Sequence, residues 1–346
     1  MAVYLLLLIL PAAWIVLPRS RAAALAVGAV LAIFIGLRDR VGGDWHAYWL
    51  IYERAKSLDA VSAMLLNDPA FMALNIAASR LGLGIAFVNL ACAAILSAGL
   101  VAYARCQKLP WLALFIAIPV LVMVASMNST RQATAVGLEM LAFAFYLRGR
   151  PRACGLALLF AFAFHWSAAV LLPFAALALL PPQRLRLAAW VAAGLGAVLV
   201  VAVWLRSDLR IFYQPSFGTA FRLLPSLSAL AGLALLRLEQ RERTVAYYLA
   251  GLAIACMAIW PAASMVTDRM GYYLIPLQML VFPAIVTSLP TRGVRLAALA
   301  ACLAWYLLMI AGWALLSSYA SCMVPYRSYL QHPAAMFGST PPQRVC

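Results

Sequence analysis

Acidic side chains are scarce. There are ten Asp and Glu among 346 residues against 26 Lys and Arg, and charged residues of every kind amount to 10%. A chain so poor in charge, 66% hydrophobic and with a mean hydropathy of +0.96, is not a soluble enzyme; its apolar residues must face lipid. No low-complexity tract, glycine period or heptad run dominates, which excludes disorder, collagen and a coiled coil. Lysine is confined to Lys56 and Lys108, so arginine supplies nearly all of the formal +16 charge. Its planar fork suits phosphate better than a point charge does, although topology signals account for many arginines in any membrane protein. The seven cysteines show no C-x-x-C or other ligand spacing, so neither a disulfide framework nor a zinc site is expected. The opening stretch, Met1 to Leu17, has no basic leader and no small-residue cleavage site and reads as a retained span.

What is present is a series of apolar runs cut by polar punctuation. A bilayer core of about 30 Å takes about 20 apolar residues per helix. The cuts predict an all-α, polytopic chain forming one transmembrane domain over residues 1–346. Ten spans are expected: 2–17, 22–37, 84–104, 109–127, 131–147, 187–205, 223–237, 244–262, 270–289 and 295–316. Residues 153–180 read differently, because His165 and Trp166 interrupt the run after about a dozen residues, roughly 18 Å of helix. Two short helices or a re-entrant hairpin with His165 near the tip are expected. The arginine-rich short loops, such as Arg148/Arg150/Arg152 and Arg237/Arg241/Arg243, then share one side, the cytoplasmic one. The opposite side receives both termini, the 38–83 loop, the 206–222 loop and the tail after Leu316. It still carries more basic than acidic residues, which the orientation rule does not explain.

Four constellations lie on that outer side. The first is Arg38-Asp39-Arg40-Val41-Gly42-Gly43-Asp44-Trp45-His46-Ala47-Tyr48. Its glycines admit close backbone approach, Asp44 and His46 are proton acceptors, and Trp45 and Tyr48 are flat surfaces for a sugar ring, unless they form only an interfacial aromatic belt. Residues 69–83 form either an amphipathic helix on the outer leaflet or a short re-entrant piece. The second is Asn128-Ser129-Thr130-Arg131-Gln132, where a helix N-terminus and an arginine fork make a ready anion site, or where Asn128 or Ser129 serves merely as a cap. Two turns further on, Glu139 is an intramembrane carboxyl expected to pair with an arginine of a neighbouring helix. The third is Phe164-His165-Trp166-Ser167 at the hairpin tip. There His165 is either a satisfied core residue or a group that transfers protons or contacts phosphate. The fourth is Asp268-Arg269 with Tyr273, where Arg269 binds an anion or pairs with Asp268. Arg210, Tyr213, Arg222, Tyr326 and Arg327 either line the same cavity or meet headgroups.

Taken in order, Arg38 with Gly42-Gly43-Asp44-x-x-x-Tyr48, Asn128-x-x-Arg131-Gln132, the Arg148 to Arg152 loop, Phe164-His165-x-Ser167, Arg269-x-x-x-Tyr273 and Pro325-Tyr326 resemble the EpsG family of bacterial polysaccharide proteins, related to Wzy-type polymerases. The resemblance spans nearly the whole chain. Trp166 departs from it, standing where a small or polar residue is expected. The resemblance implies a GT-C-like, membrane-embedded glycosyltransferase of the inner membrane that acts on an undecaprenyl-diphosphate-linked oligosaccharide at the periplasmic face and uses no nucleotide sugar. The residues suit such a substrate in their own right: a diphosphate needs arginine forks, a polyprenyl tail a lateral apolar groove, and a glycan aromatic and polar loops.

The expected reaction is polymerisation with inversion. His165 is the first choice of base and Asp44 the second; Arg131 and Arg269 hold the diphosphate with Arg38 in support; Trp45, Tyr48, Arg210 and Tyr273 line the glycan cavity. No metal or other cofactor is expected, since no carboxylate or histidine cluster falls on one outer loop. The lipid bilayer and, optionally, a chain-length regulator are expected partners, and nucleic acid is not. The competing readings are a flippase or transporter of the same lipid, an O-antigen ligase and a membrane O-acyltransferase.

Overall fold

The computed structural model describes residues 2–14, 20–59, 62, 68–180, 185–206, 217–261, 264–333 and 336. In chain order the helices are α1 (Ala2–Trp14), α2 (Arg21–Gly36), α3 (Trp45–Ser57), α4 (Pro69–Arg80), α5 (Gly84–Ala104), α6 (Pro110–Asn128), α7 (Thr130–Leu147), α8 (Pro151–Phe164), α9 (Trp166–Leu177), α10 (Leu185–Arg206), α11 (Phe217–Leu233), α12 (Gln240–Ile259), α13 (Ser264–Ser288) and α14 (Arg292–Leu316). Among the described residues the sole β contact is an isolated bridge between Arg38 and Ser328. Five helices, α5, α6, α12, α13 and α14, have the length and apolarity to cross a membrane, and shorter apolar helical stretches of 10–17 residues lie within α2, α8, α9, α10 and α11.

Helix α7 is the axis of the bundle, with α5 and α8 packed along it and α2 beyond α5. Small residues permit this. At the α5–α7 crossing a Cβ added to Gly99 would stand 1.8 Å from the carbonyl oxygen of Gly137, so the two backbones touch and no side chain fits between them. Such contacts are how helices associate in lipid, where the hydrophobic effect draws no helix toward another.

Two helices change geometry where the chain needs to turn at depth. Helix α6 widens to π geometry over Ile118–Ala125. Pro119, which has no N–H to donate, falls at the start of that stretch. The helix ends at Asn128, and Ser129, at φ −122° and ψ 67°, separates it from α7. Helix α8 stops at Phe164, His165 is extended at φ −157° and ψ 120°, and the chain resumes as a 3-10 turn over Trp166–Leu171. The expected break at His165 is therefore the observed one.

Three expectations are corrected. Glu139 does not pair with an arginine: it is fully buried in α7, and neither carboxyl oxygen has a hydrogen-bond partner among the described residues. Among the described residues its electrostatic neighbours are the tyrosines Tyr103, Tyr248 and Tyr273, and no cation pairs with it. Helix α4 forms where an amphipathic helix was expected, but Phe71, Met72, Asn75, Ile76 and Ala78 are buried, so its apolar side faces α3, α5 and α8. The cysteines are not all free either, since Cys322 is disulfide-bonded. It lies in the tail, beyond the apolar runs whose cysteines guided the expectation. Cys92, Cys106, Cys154, Cys256 and Cys302 are free.

Candidate functional site

The Gly-Gly-Asp turn and the α6–α7 break are built against each other. Gly42 has φ +105°, a conformation that favours glycine, and a Cβ on it would lie 1.9 Å from the Met127 carbonyl oxygen. Gly43 N–H donates to Asn128 Oδ1 at 2.8 Å, and Gly42 N–H donates to the Cys322 carbonyl. The tail thus closes over the turn from behind: Asp39 N–H donates to the Arg327 carbonyl, Tyr329 N–H to that of Leu37 and Tyr326 OH to that of Phe34. Arg38 lies beneath this junction, fully buried, with Nη1 donating to the Ile35 carbonyl and Nη2 to Thr130 Oγ1, each at 2.7 Å. Its guanidinium braces the first residue of α7 rather than opening to a cavity.

One residue on, Arg131 turns the other way. Its Nη1 donates to Asp68 Oδ2 at 2.8 Å, and its guanidinium carbon lies 5.8 Å from the ring centroids of both Tyr48 and Phe71. Two aromatic faces and a carboxylate thus hold the fork in place. Asp68 precedes Pro69 at the N-terminus of α4 but makes no side-chain cap. Its Oδ1 instead accepts from the Trp166 N–H at 2.9 Å, and its Oδ2 lies 3.8 Å from His165 Nδ1. Burial pushes the Asp68 carboxyl above the usual carboxylate range, while the Arg131 charge and the Trp166 N–H pull the other way.

Asp68 is the site residue that the sequence reading missed. A lone acid ahead of a proline-initiated helix reads as a cap, and the unusual scarcity of acids was the available signal.

From the far side of the break, Arg269 Nη1 donates to Ser129 Oγ, and its backbone carbonyl accepts from Gln132 Nε2 at 2.6 Å. Asp44, at the start of α3, lies in the field of both arginines; burial raises its carboxyl pKa, and Arg269 and then Arg131 oppose the rise. Tyr273 OH and Ser167 Oγ are hydrogen-bonded at 2.9 Å, tying α13 to the residues just after His165.

The fold therefore gathers Asp44, Tyr48, Arg131, His165, Arg269 and Tyr273, drawn from four separated segments, around Ser129 and, from a fifth segment, Asp68. The two outer arginines, Asp44 and His165 are partly exposed, whereas Tyr48 and Tyr273 form buried walls. Trp45 is buried as well and presents no open face. Arg210 and Tyr213 lie outside the described residues. A separate cavity of about 170 Å³, lined in part by Tyr146, Pro151, Gln240 and Arg241, opens at the opposite end of α7 and shares no residue with this cluster.

In chemical terms the cluster offers two outward forks for an anion, an imidazole with one nitrogen facing a carboxylate, and a second carboxyl held near two positive charges. Such a set can hold a phosphate group and accept a proton beside it. The EpsG family model matches residues 22–328 of the chain. No curated protein and no solved structure matches it.

Proposed function

The chain belongs to the EpsG family, a family of Wzy-like polymerases in bacterial polysaccharide biosynthesis, and from that premise we propose that it joins undecaprenyl-diphosphate-linked oligosaccharide repeat units at the periplasmic face of the inner membrane. The observation that carries this reading is the convergence of Arg131, Arg269, His165 and Asp44 at a broken, partly exposed helix junction. Fixed cations in a membrane protein need a partner. Here one arginine leans on a lone carboxylate and the other on a serine hydroxyl, an arrangement suited to receiving the two phosphates of a lipid carrier. In this reading the five long helices and the shorter apolar ones together make about ten spans of a GT-C-like bundle.

In the proposed step a hydroxyl of one lipid-linked unit attacks the anomeric carbon of the growing chain. The C–O bond to the diphosphate breaks with inversion, and undecaprenyl diphosphate departs with the bonding electrons. His165 takes the hydroxyl proton, with Asp44 the second choice of base. Arg131 and Arg269 neutralise the charge that grows on the departing diphosphate, and Arg38 supports them by fixing Thr130. Tyr48 and Tyr273 back the wall on the glycan side, and Trp45, itself buried, has no face for a sugar. A positioned base contributes about 10²- to 10⁴-fold in rate, and each charge-stabilising donor contributes a comparable factor.

The test is full-length protein reconstituted with a synthetic undecaprenyl-diphosphate repeat unit. A ladder of products with released lipid diphosphate is expected. In Arg131→Ala and His165→Ala, elongation falls by about 100-fold or more at unchanged protein level. Movement of the lipid across the bilayer without new glycosidic bonds would overturn the reading in favour of a flippase, and transfer to a foreign acceptor without elongation would overturn it in favour of a ligase.

A further inference from the structure

Asp68 holds together three groups with incompatible demands. Its Oδ2 is bonded to Arg131 Nη1 at 2.8 Å and stops 3.8 Å from His165 Nδ1, an atom that is buried and has no hydrogen-bond partner among the described residues. Its Oδ1 is held by the Trp166 backbone N–H, one residue beyond the histidine. The carboxylate is 5% exposed, against 25% for the Arg131 side chain, so an arriving anion meets the arginine first. An anion at Arg131 competes with Asp68 for the same fork and repels it.

The imidazole stands ready as an alternative donor. Bringing 3.8 Å down to hydrogen-bond distance takes a shift of about 1 Å, and the Trp166 N–H serves as its pivot.

We propose that Asp68 is a positioning residue that switches partners. Without substrate it neutralises Arg131; when a polyprenyl diphosphate occupies Arg131, the carboxylate swings onto His165 Nδ1–H. That contact fixes the tautomer that presents Nε2 as base and stabilises the imidazolium formed when Nε2 takes the acceptor hydroxyl proton. Asp68 itself stays ionised throughout. Base strength is thereby tied to the presence of the leaving group. The inference rests on the glycosyl-transfer reading above and adds a regulatory element to it.

The test measures two quantities on full-length protein in lipid nanodiscs: affinity for geranylgeranyl diphosphate as probe, and turnover of the synthetic repeat unit. In Asp68→Asn the competing charge is gone, so the probe is expected to bind about tenfold tighter, while turnover falls by about 100-fold. Asp68→Glu, which keeps the charge on a longer arm, is expected to restore wild-type affinity and part of the turnover. A residue with a merely structural role would weaken binding and turnover together. Should Asp68→Asn fail to fold, Asp68→Ser carries the test, because loss of the charge again predicts tighter binding of the probe with lower turnover, whereas a structural role predicts the loss of both.

Binding of the probe by wild-type protein that is unchanged or weakened in Asp68→Asn overturns the switch and leaves the reading of the site intact. A wild-type protein that binds no diphosphate overturns both.

Discussion

Helices α6 and α14 carry mean hydropathies of 2.2 and 2.1 over their most apolar 18 residues, yet 83% of that stretch is buried by protein in α6 and 17% in α14. In α6, Leu112, Ala113, Ala117, Ile118 and Leu121 are wholly enclosed, whereas Leu308, Leu315 and Leu316 of α14 are between 66% and 83% exposed. A leucine is as comfortable in lipid as in protein, so hydropathy places a helix in the membrane without saying which surface meets lipid. What distinguishes the two is their neighbours. Helix α6 packs against α1, α5 and α13 and ends in the break that presents Asn128 and Ser129, while α14 makes sparse contacts at the rim. The buried helix is the one that bears on chemistry.

Several substitutions break or sharpen that contrast. The largest effect is expected at the axis of the interior: Gly99→Val drives a side chain into the Gly137 backbone, which cannot yield, and folded, monodisperse protein should be lost on size-exclusion chromatography. Gly312→Ala in α14 meets nothing within 4 Å and serves as its silent counterpart. Next is Leu112→Ala in α6, fully buried, which should cost about 2 to 5 kcal/mol as a fall in melting temperature. Leu308→Ala in α14 should stay within about 0.5 kcal/mol. Equal losses at the two leucines would mean that α14 is covered by protein and would erase the comparison. Smaller and opposite in sign is Glu139→Met. Replacing a buried, unpartnered carboxyl by an apolar side chain of similar size is expected to raise stability by about 1 to 3 kcal/mol with elongation retained. Loss of elongation there would give Glu139 a functional role.

Much of the candidate site was legible because its residues interrupt patterns. His165 stops an apolar run too short to span a bilayer. Asn128 to Gln132 sets polar residues between two long runs, and Gly42-Gly43 announces a turn that Gly42's positive φ confirms. Residues whose meaning depends on a distant partner were not legible. Asp68 looks like a helix cap until Arg131, 63 positions later, takes its carboxylate. Arg38 looks like a loop cation free to meet phosphate until the Arg327–Tyr329 segment covers it and Thr130 engages its fork. Glu139 was misjudged for the complementary reason: a charge in a span calls for a partner, and only packing reveals that the described residues offer none.

The sequence alone determined that this is a helical membrane chain, since no other arrangement satisfies the backbone of so many apolar runs. It also determined where those helices break, because proline, a lone histidine and paired glycines act within a few residues of themselves. Tertiary structure alone decided which apolar helices form the interior and that five separated segments deliver Asp44, Asp68, Arg131, His165 and Arg269 to one junction. Those outcomes depend on contacts between residues tens to hundreds of positions apart, among helices that lipid would solvate equally well.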